Sequence, residues 1–201
     1  MKSLLYNFFL VIILASTLSL LTYAHLSRHA ETANIHSHPL IKATKEGNVS
    51  LVTNILERGT PVDTTDWAGW TSMHWAALLL KNDVIKVLLD AGADIEKIGK
   101  GGKNSGTPLM MAAKKYNGQE TIKILLMNGA DVNGSDQYGR TALIIASRYG
   151  RKKTVQILLD SGADVTRIST LRSWRTALQV AKHRGHQSIV NILREAGARN
   201  E

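Results

Sequence analysis

The 201-residue chain contains no cysteine, which removes disulfides, thiolate catalysis and every zinc site built on sulfur. It also lacks an HExxH pair, a nucleophile elbow and a spaced carboxylate pair on a cleft-forming frame, so hydrolytic chemistry has no candidates. The stretch IGKGGKNSG at 98–106 does not meet the order G-x-x-x-x-G-K-[ST] and follows no strand, so it is not a phosphate loop. Recognition helices, RNP-like strands and zinc knuckles are missing as well, and nucleic acid is not an expected partner. Nor is there a run of the ~20 apolar residues that a spanning helix needs. Neither an enzyme nor a cofactor is expected.

What is present begins with an ordinary globular composition, 44% hydrophobic and 20% charged, which argues for one folded domain. The formal net charge is +9 and is unevenly spread. Residues 1–100 carry nine basic and nine acidic side chains, residues 101–201 sixteen and seven. A one-sided excess of this kind attracts acidic partners and steers their approach.

At the start, Lys2 precedes an apolar stretch from Phe8 to Leu21 and the small residues Thr22 and Ala24. That layout is the one expected of a secretory signal peptide over 1–24, cut after Ala24. The alternative is a buried core helix or an uncleaved anchor, and an anchor with Lys2 held inside would also place the rest of the chain across the membrane. Signal and anchor both export the remainder of the chain, and membrane contact is expected only through an uncleaved segment. Residues 25–37 form a polar, histidine-rich linker. His25, His29, His36 and His38 could hold a transition metal or haem, or His38 could simply begin the folded part. No carboxylate or sulfur spacing supports a metal.

A seven-residue phrase then returns four times: TSMHWAA at 71–77, TPLMMAA at 107–113, TALIIAS at 141–147 and TALQVAK at 176–182. Each is answered by an apolar run closing in Gly: LLDAGADI at 88–95, LLMNGADV at 125–132, LLDSGADV at 158–165 and ILREAGAR at 192–199. Such a period means a stack of small units rather than one globular core. In residues 136–168, Asp136 and Gly139 mark a turn and Thr141 caps a helix. Leu143, Ala146 and Ser147 face inward. A second helix buries Val155, Ile157, Leu158 and Leu159 and ends at Gly162 in a left-handed cap.

This pattern resembles the ankyrin repeat, with its TPLHxAA helix start and its second helix ending LLxxGAD. A weaker copy opens at His38 and Pro39, and the last ends in polar residues suited to a closing helix. The resemblance implies an all-α solenoid of about five helix-turn-helix repeats with projecting β-turn fingers. The domain spans 38–200, with approximate repeats 38–65, 66–98, 99–135, 136–168 and 169–200. It also implies that Thr71 and His74 hydrogen-bond locally and brace neighbouring turns, so His74 is read as structural. Extra residues at 98–106 and near Trp174 fall in the fingers, where a change alters binding more readily than folding.

The family binds through its fingers and the residues after the alanine pair, which line a concave face. In this chain those places hold Trp67, Ala68, Trp70, Leu78 and Leu79; Lys103, Asn104, Gly106, Lys114 and Lys115; Gln137, Tyr138, Arg140, Arg148 and Tyr149; and Arg172, Ser173, Arg175, His183 and Arg184. An apolar, aromatic patch thus gives way to cations, while Asp94, Asp131, Asp136 and Asp164 occupy pattern positions. Trp67 and Trp70 are expected to anchor a protein partner, or else to fold down onto the neighbouring repeat; Arg140, Arg148, Arg175 and Arg184 are expected to read its acidic groups, or else to form a solvated face; Trp75 is expected to pack. The resulting expectation is a monomeric, non-enzymatic adaptor with an acidic protein partner. Exported members of this family are more typical of bacteria, so the periplasm or a secreted location is expected. Two alternatives remain: a carrier of an anionic ligand such as haem or lipid, and a passive spacer on a membrane anchor.

Overall fold

The computed structural model describes residues 38–100, 106–170 and 175–199. The expected signal segment at 1–24 and linker at 25–37 lie outside these residues, as do Lys103, Asn104, Arg172, Ser173 and Trp174. Residue 38 onward forms one unit. Ten helices occur among the described residues: α1 Pro39–Glu46, α2 Val49–Glu57, α3 Ser72–Leu79, α4 Asn82–Asp90, α5 Pro108–Ala113, α6 Gln119–Met127, α7 Ala142–Arg148, α8 Lys152–Asp160, α9 Ala177–His183 and α10 Gln187–Glu195.

Helix starts follow from capping chemistry. The hydroxyls of Thr107, Thr141 and Thr176 accept the N–H groups of Met110, Ile144 and Gln179 at 3.5, 3.4 and 3.2 Å, each a donor without a partner inside its helix. His38 takes this place in the first repeat, its Nδ1 accepting from Leu40 N at 3.3 Å. Pro39 follows at the first helical position, where a missing N–H costs nothing.

The odd-numbered helices stack one on the next, the even-numbered helices do the same, and each pair packs within its repeat. Small side chains make the inner approach close: Ala76, Ala77, Ala112, Ala113, Ala146, Ser147 and Ala181 are all fully buried. On the outer row the first leucine of each pair, Leu88, Leu125 and Leu158, is fully buried, as is Leu193 in the last repeat. Each such side chain contributes about 1.5–3 kcal/mol by leaving water. The all-α solenoid expected from the repeated phrase is therefore the architecture observed.

Two further devices join the repeats. The residue four places after a helix-ending glycine accepts the N–H of the aspartate in the next GAD turn. Asp94 N donates to Asp63 at 3.2 Å, Asp131 N to Glu96 at 2.9 Å and Asp164 N to Asn133 at 2.8 Å. On the helical side, the residue that opens an outer helix reaches back to the preceding repeat: Arg151 Nε donates to Lys114 O at 2.8 Å, and His186 Nε2 lies 3.3 Å from Arg148 O. Gly162 shows what a helix-ending glycine supplies. Its φ is +87 and nothing lies within 4 Å of where a Cβ would stand, so backbone conformation rather than space demands glycine there. Leu80, with φ 58, is the one non-glycine left-handed residue among those described; it occupies the place held by Gly47, Gly150 and Gly185 in other repeats.

Candidate functional site

The fingers are built around an aspartate. Asp66 Oδ1 accepts the N–H groups of Ala68 and Trp70, both at 3.0 Å, and Asp136 Oδ1 accepts those of Tyr138 and Arg140, both at 2.9 Å. Gly69 and Gly139 complete each turn at φ 71 and 69, values that a residue with a Cβ adopts only with strain. Bridges Thr65 to Thr71, Gly99 to Gly106 and Ser135 to Thr141 close three of the fingers.

His74 ties one repeat to the next finger. Its Nδ1 accepts from Thr71 N at 3.2 Å and lies 2.8 Å from Thr71 Oγ1, while Nε2 faces Gly106 O at 3.1 Å. A donor on one side and an acceptor on the other select the neutral tautomer protonated at Nε2. Burial pushes the imidazole pKa down to about 4, against smaller opposing effects of backbone hydrogen bonds and nearby carboxylates. The structural role expected of Thr71 and His74 is thus present in atomic detail.

The residue just before the capping threonine does not point where the sequence suggested. Trp70 is 6% exposed and Arg140 5%, so neither is available as a surface contact. Trp70 packs with Trp75, ring centroids 4.9 Å apart, and with His74 at 5.9 Å. Arg140 turns under its own finger, where Nε and Nη2 contact Asp136 Oδ2 at 2.6 and 2.5 Å. The same finger that would have displayed them folds them inward, because the aspartate four residues earlier draws in the backbone N–H of each. Trp75 packs as expected, and its Nε1 donates to Asp66 Oδ2 at 2.9 Å.

A different set remains on the surface. Trp67 is 86% exposed at its finger tip, Leu79 is exposed and Leu78 is half-buried against the core. Lys114, Lys115, Tyr138 and Arg148 are half-buried, while Tyr149, Arg175, His183 and Arg184 are exposed. Arg172 lies outside the described residues.

The structure draws several of these cations together. Lys114, the cap residue of α5, has its pKa pulled down to about 8, first by burial and then by the charges of Arg140 and Arg148, with Asp136 opposing. Arg140 sits 5.3 Å from the Tyr138 ring and Arg148 5.9 Å from that of Tyr149. Sequence reasoning gave no binding-face role to Lys45, whose Nζ stands 3.8 Å over the Trp75 ring, or to Asp66 as a finger brace. Nor does it anticipate the bond from Arg151 to the preceding repeat. Its role could have been read from the repeated placement of a long donor, Lys81, Arg151 or His186, just before an outer helix.

No group of three or more potential metal ligands occurs among the described residues. His38, from the histidine-rich stretch, is occupied as a helix cap.

Stacked helix pairs with braced fingers define a helical-repeat interaction module, a protein whose working part is an extended surface. The family model for ankyrin repeats in three copies matches residues 14–99 and 96–169. The chain belongs to the ankyrin repeat family, whose repeats serve as protein-interaction modules and are generally non-enzymatic. It is 36% identical over 96 residues to ankyrin repeat, SAM and basic leucine zipper domain-containing protein 1 of Ovis aries, covering 46% of this chain and 19% of that protein. It is 31% identical over 109 residues to the putative palmitoyltransferase ZDHHC13 of Danio rerio, covering 54% and 16% respectively. A palmitoyltransferase of Drosophila melanogaster is 31% identical over 100 residues, or 50% and 15% of the two chains. The chain therefore spans less than a fifth of the length of these relatives.

Proposed function

We propose that the protein is an exported, non-enzymatic adaptor that receives an acidic protein partner on its finger side. The observation that carries this reading is the division of that side: exposed Trp67 and Leu79 stand at one end, and Lys114, Arg148, Arg175, His183 and Arg184 follow along the later repeats. Apolar anchors bordered by charge are the usual make-up of a protein interface. Lys115, Tyr138 and Tyr149 extend the contact area. Trp70 and Arg140 support the fingers from beneath rather than touching the partner.

Export rests on the order of Lys2, the apolar stretch 8–21 and Ala24, and with it a periplasmic or secreted location in a bacterial setting. The mass of the mature N-terminus distinguishes a cut after Ala24 from a retained anchor.

Binding is tested by affinity capture from the exported fraction. Trp67→Ala and Arg148→Glu each reduce recovery of the same partner, whereas Lys123→Glu on the outer helix α6 does not. Equal recovery by all four proteins would remove the finger side as the binding face.

A further inference from the structure

We propose that the turn between α5 and α6, together with the start of α8, forms a binding site for a small phosphate monoester, a role that goes beyond the adaptor reading and does not rest on it. The site is a recess of about 350 Å³, at the lower end of the size that small-ligand sites occupy. Tyr116, Asn117 and Gln119 line it from one repeat, and Arg151, Lys152 and Lys153 from the next. It lies at the far end of the helix pair from the fingers, because α7 begins at its finger and ends at this turn.

Arg151 is the fixed element. Its Nε donates to Lys114 O at 2.8 Å, and its guanidinium carbon lies 5.7 Å from the centre of the Tyr116 ring and 6.0 Å from that of Tyr149. The side chain is half-buried, and among the described residues its two Nη groups make no hydrogen bond and meet no carboxylate. A guanidinium held at Nε and flanked by rings presents its Nη edge as an oriented pair of donors. Lys152 and Lys153 are exposed, and neither ammonium has a hydrogen bond or an ion pair among the described residues. No acidic side chain lines the recess. Glu120, in the nearby first turn of α6, is exposed and pairs with none of the three cations.

The repeat frame does not ask for this charge. Cations at a helix start oppose the macrodipole. The outer helices α4 and α6 carry Asp83 and Glu120 in that turn, and α2 and α10 have no cation in their first two positions. The corresponding groove between the first two repeats sets Asp83 beside Lys81, whereas here three cations stand without an acid.

This repeat boundary also lacks a bond found one repeat earlier, where Thr121 donates to Asn82 Oδ1 at 2.6 Å. Thr154 and Gln119 hold the matching places in their helices. The Gln119 amide instead donates to Tyr116 O at 2.8 Å, and the Thr154 hydroxyl is fully buried without a partner. Gln119 thus forms a wall of the recess rather than a tie across the boundary.

The donor set selects the ligand. A carboxylate brings one charge and two oxygens, whereas a phosphate monoester brings about two charges and three terminal oxygens at neutral pH. The ester is therefore able to meet the Arg151 fork and both ammonium groups together. Asn117, exposed and without a hydrogen bond from its side chain, adds a neutral donor. Tyr116 is 74% exposed, so its ring leaves an apolar surface beside the cations for the carbon part of the ester.

The test is isothermal titration calorimetry on the full chain at neutral pH with phenyl phosphate, inorganic phosphate and benzoate. Phenyl phosphate binds more tightly than inorganic phosphate, which lacks the ring, and than benzoate, which lacks the second charge. The double variant Lys152→Gln, Lys153→Gln binds it roughly three- to thirty-fold more weakly, the effect of two exposed charge contacts. Lys42→Gln, at an exposed site on α1, leaves the affinity unchanged, and Tyr116→Ala lowers it to that of inorganic phosphate. Circular dichroism checks that each variant folds. Equal binding of benzoate and phenyl phosphate, or unchanged affinity in the double lysine variant, would overturn the proposal. So would lysine-dependent sedimentation with phosphatidylglycerol vesicles in the absence of phenyl phosphate binding, which would assign the cations to a membrane surface. A phosphoserine peptide that binds more tightly than phenyl phosphate would overturn it too, in favour of a phosphorylated protein.

Discussion

Asp136→Asn isolates the strongest electrostatic contact in the finger row. Asparagine keeps an oxygen where Asp136 Oδ1 accepts from Tyr138 N and Arg140 N, so the turn itself survives. What it removes is the charge opposite Arg140, whose side chain is 6% exposed and whose Nε and Nη2 both contact Oδ2. A buried cation left without its anion costs about 3–5 kcal/mol, a large share of the 5–15 kcal/mol that typically holds a domain together. With a urea slope of about 2 kcal/mol per molar, the midpoint falls by roughly 2 M. Arg140→Met removes the other partner and fills similar volume, so its loss is about 1.5 kcal/mol or less. In the double variant most of the Asp136→Asn loss disappears, because no cation is left uncompensated. Far-UV circular dichroism across a urea series, on wild type, both single variants and the double, measures the cycle. A loss below about 1 kcal/mol for Asp136→Asn, or strict additivity in the double variant, would refute the claim that this pair is buried and coupled.

Trp70→Ala should cost about 3–5 kcal/mol by emptying a packed aromatic site, while Trp67→Ala stays within about 0.5 kcal/mol because its indole is solvated; urea midpoints compare the two. For His74, the folded pKa of about 4 lies below the ordinary value of 6.5, so the unfolded chain binds the proton more readily. The stability this histidine contributes is complete above about pH 6.5 and is lost as pH falls toward 4, by about 3 kcal/mol in all; the difference between wild type and His74→Gln, followed by urea unfolding over that range, reads it directly. Leu80→Asn should stabilise the chain by roughly 0.5–1 kcal/mol, since a leucine at φ 58 is strained where asparagine is tolerated. A lower melting temperature for this variant would contradict it.

The frame was legible because its signals are local. Threonine at a helix start, glycine after a helix and a leucine pair in the outer row each act within a few residues of themselves, so their spacing alone announces the fold. The binding face was less legible because it depends on side-chain direction. Trp70 and Arg140 stand at the position that the repeat leaves unspecified, yet both turn inward. The deciding feature lies four residues upstream: Asp66 and Asp136, each in the order Asp-x-x-Gly before the residue in question, tighten the finger and carry that residue beneath it. In the last repeat this order is absent, and Arg175 at the matching place is exposed. The chemistry of each buried residue then follows from its neighbour, an indole beside Trp75 and a guanidinium on Asp136.

The positive sign of the surface has a related origin. Asp63 and Glu96 accept backbone N–H groups from the following repeat. Asp94 and Asp131 accept those of Glu96 and Asn133 within their own turns. Asp164 accepts both the N–H and the hydroxyl of Thr166, bonds that hold its carboxyl below the usual carboxylate range. Asp66 and Asp136 are committed to the fingers. Carboxylates serve these places because they accept hydrogen bonds without needing to donate any, and a solenoid has such a turn in every repeat. Lysine and arginine are rarely recruited for that work here, since a turn crowded with N–H donors gives them nothing to bind. Seven acids are thereby drawn into the turns and fingers of the frame, while most of the bases stay at its surface. A solenoid built on this turn presents a cationic side unless its variable positions supply acids of their own, and at the finger and inner-helix positions of the later repeats this chain supplies none.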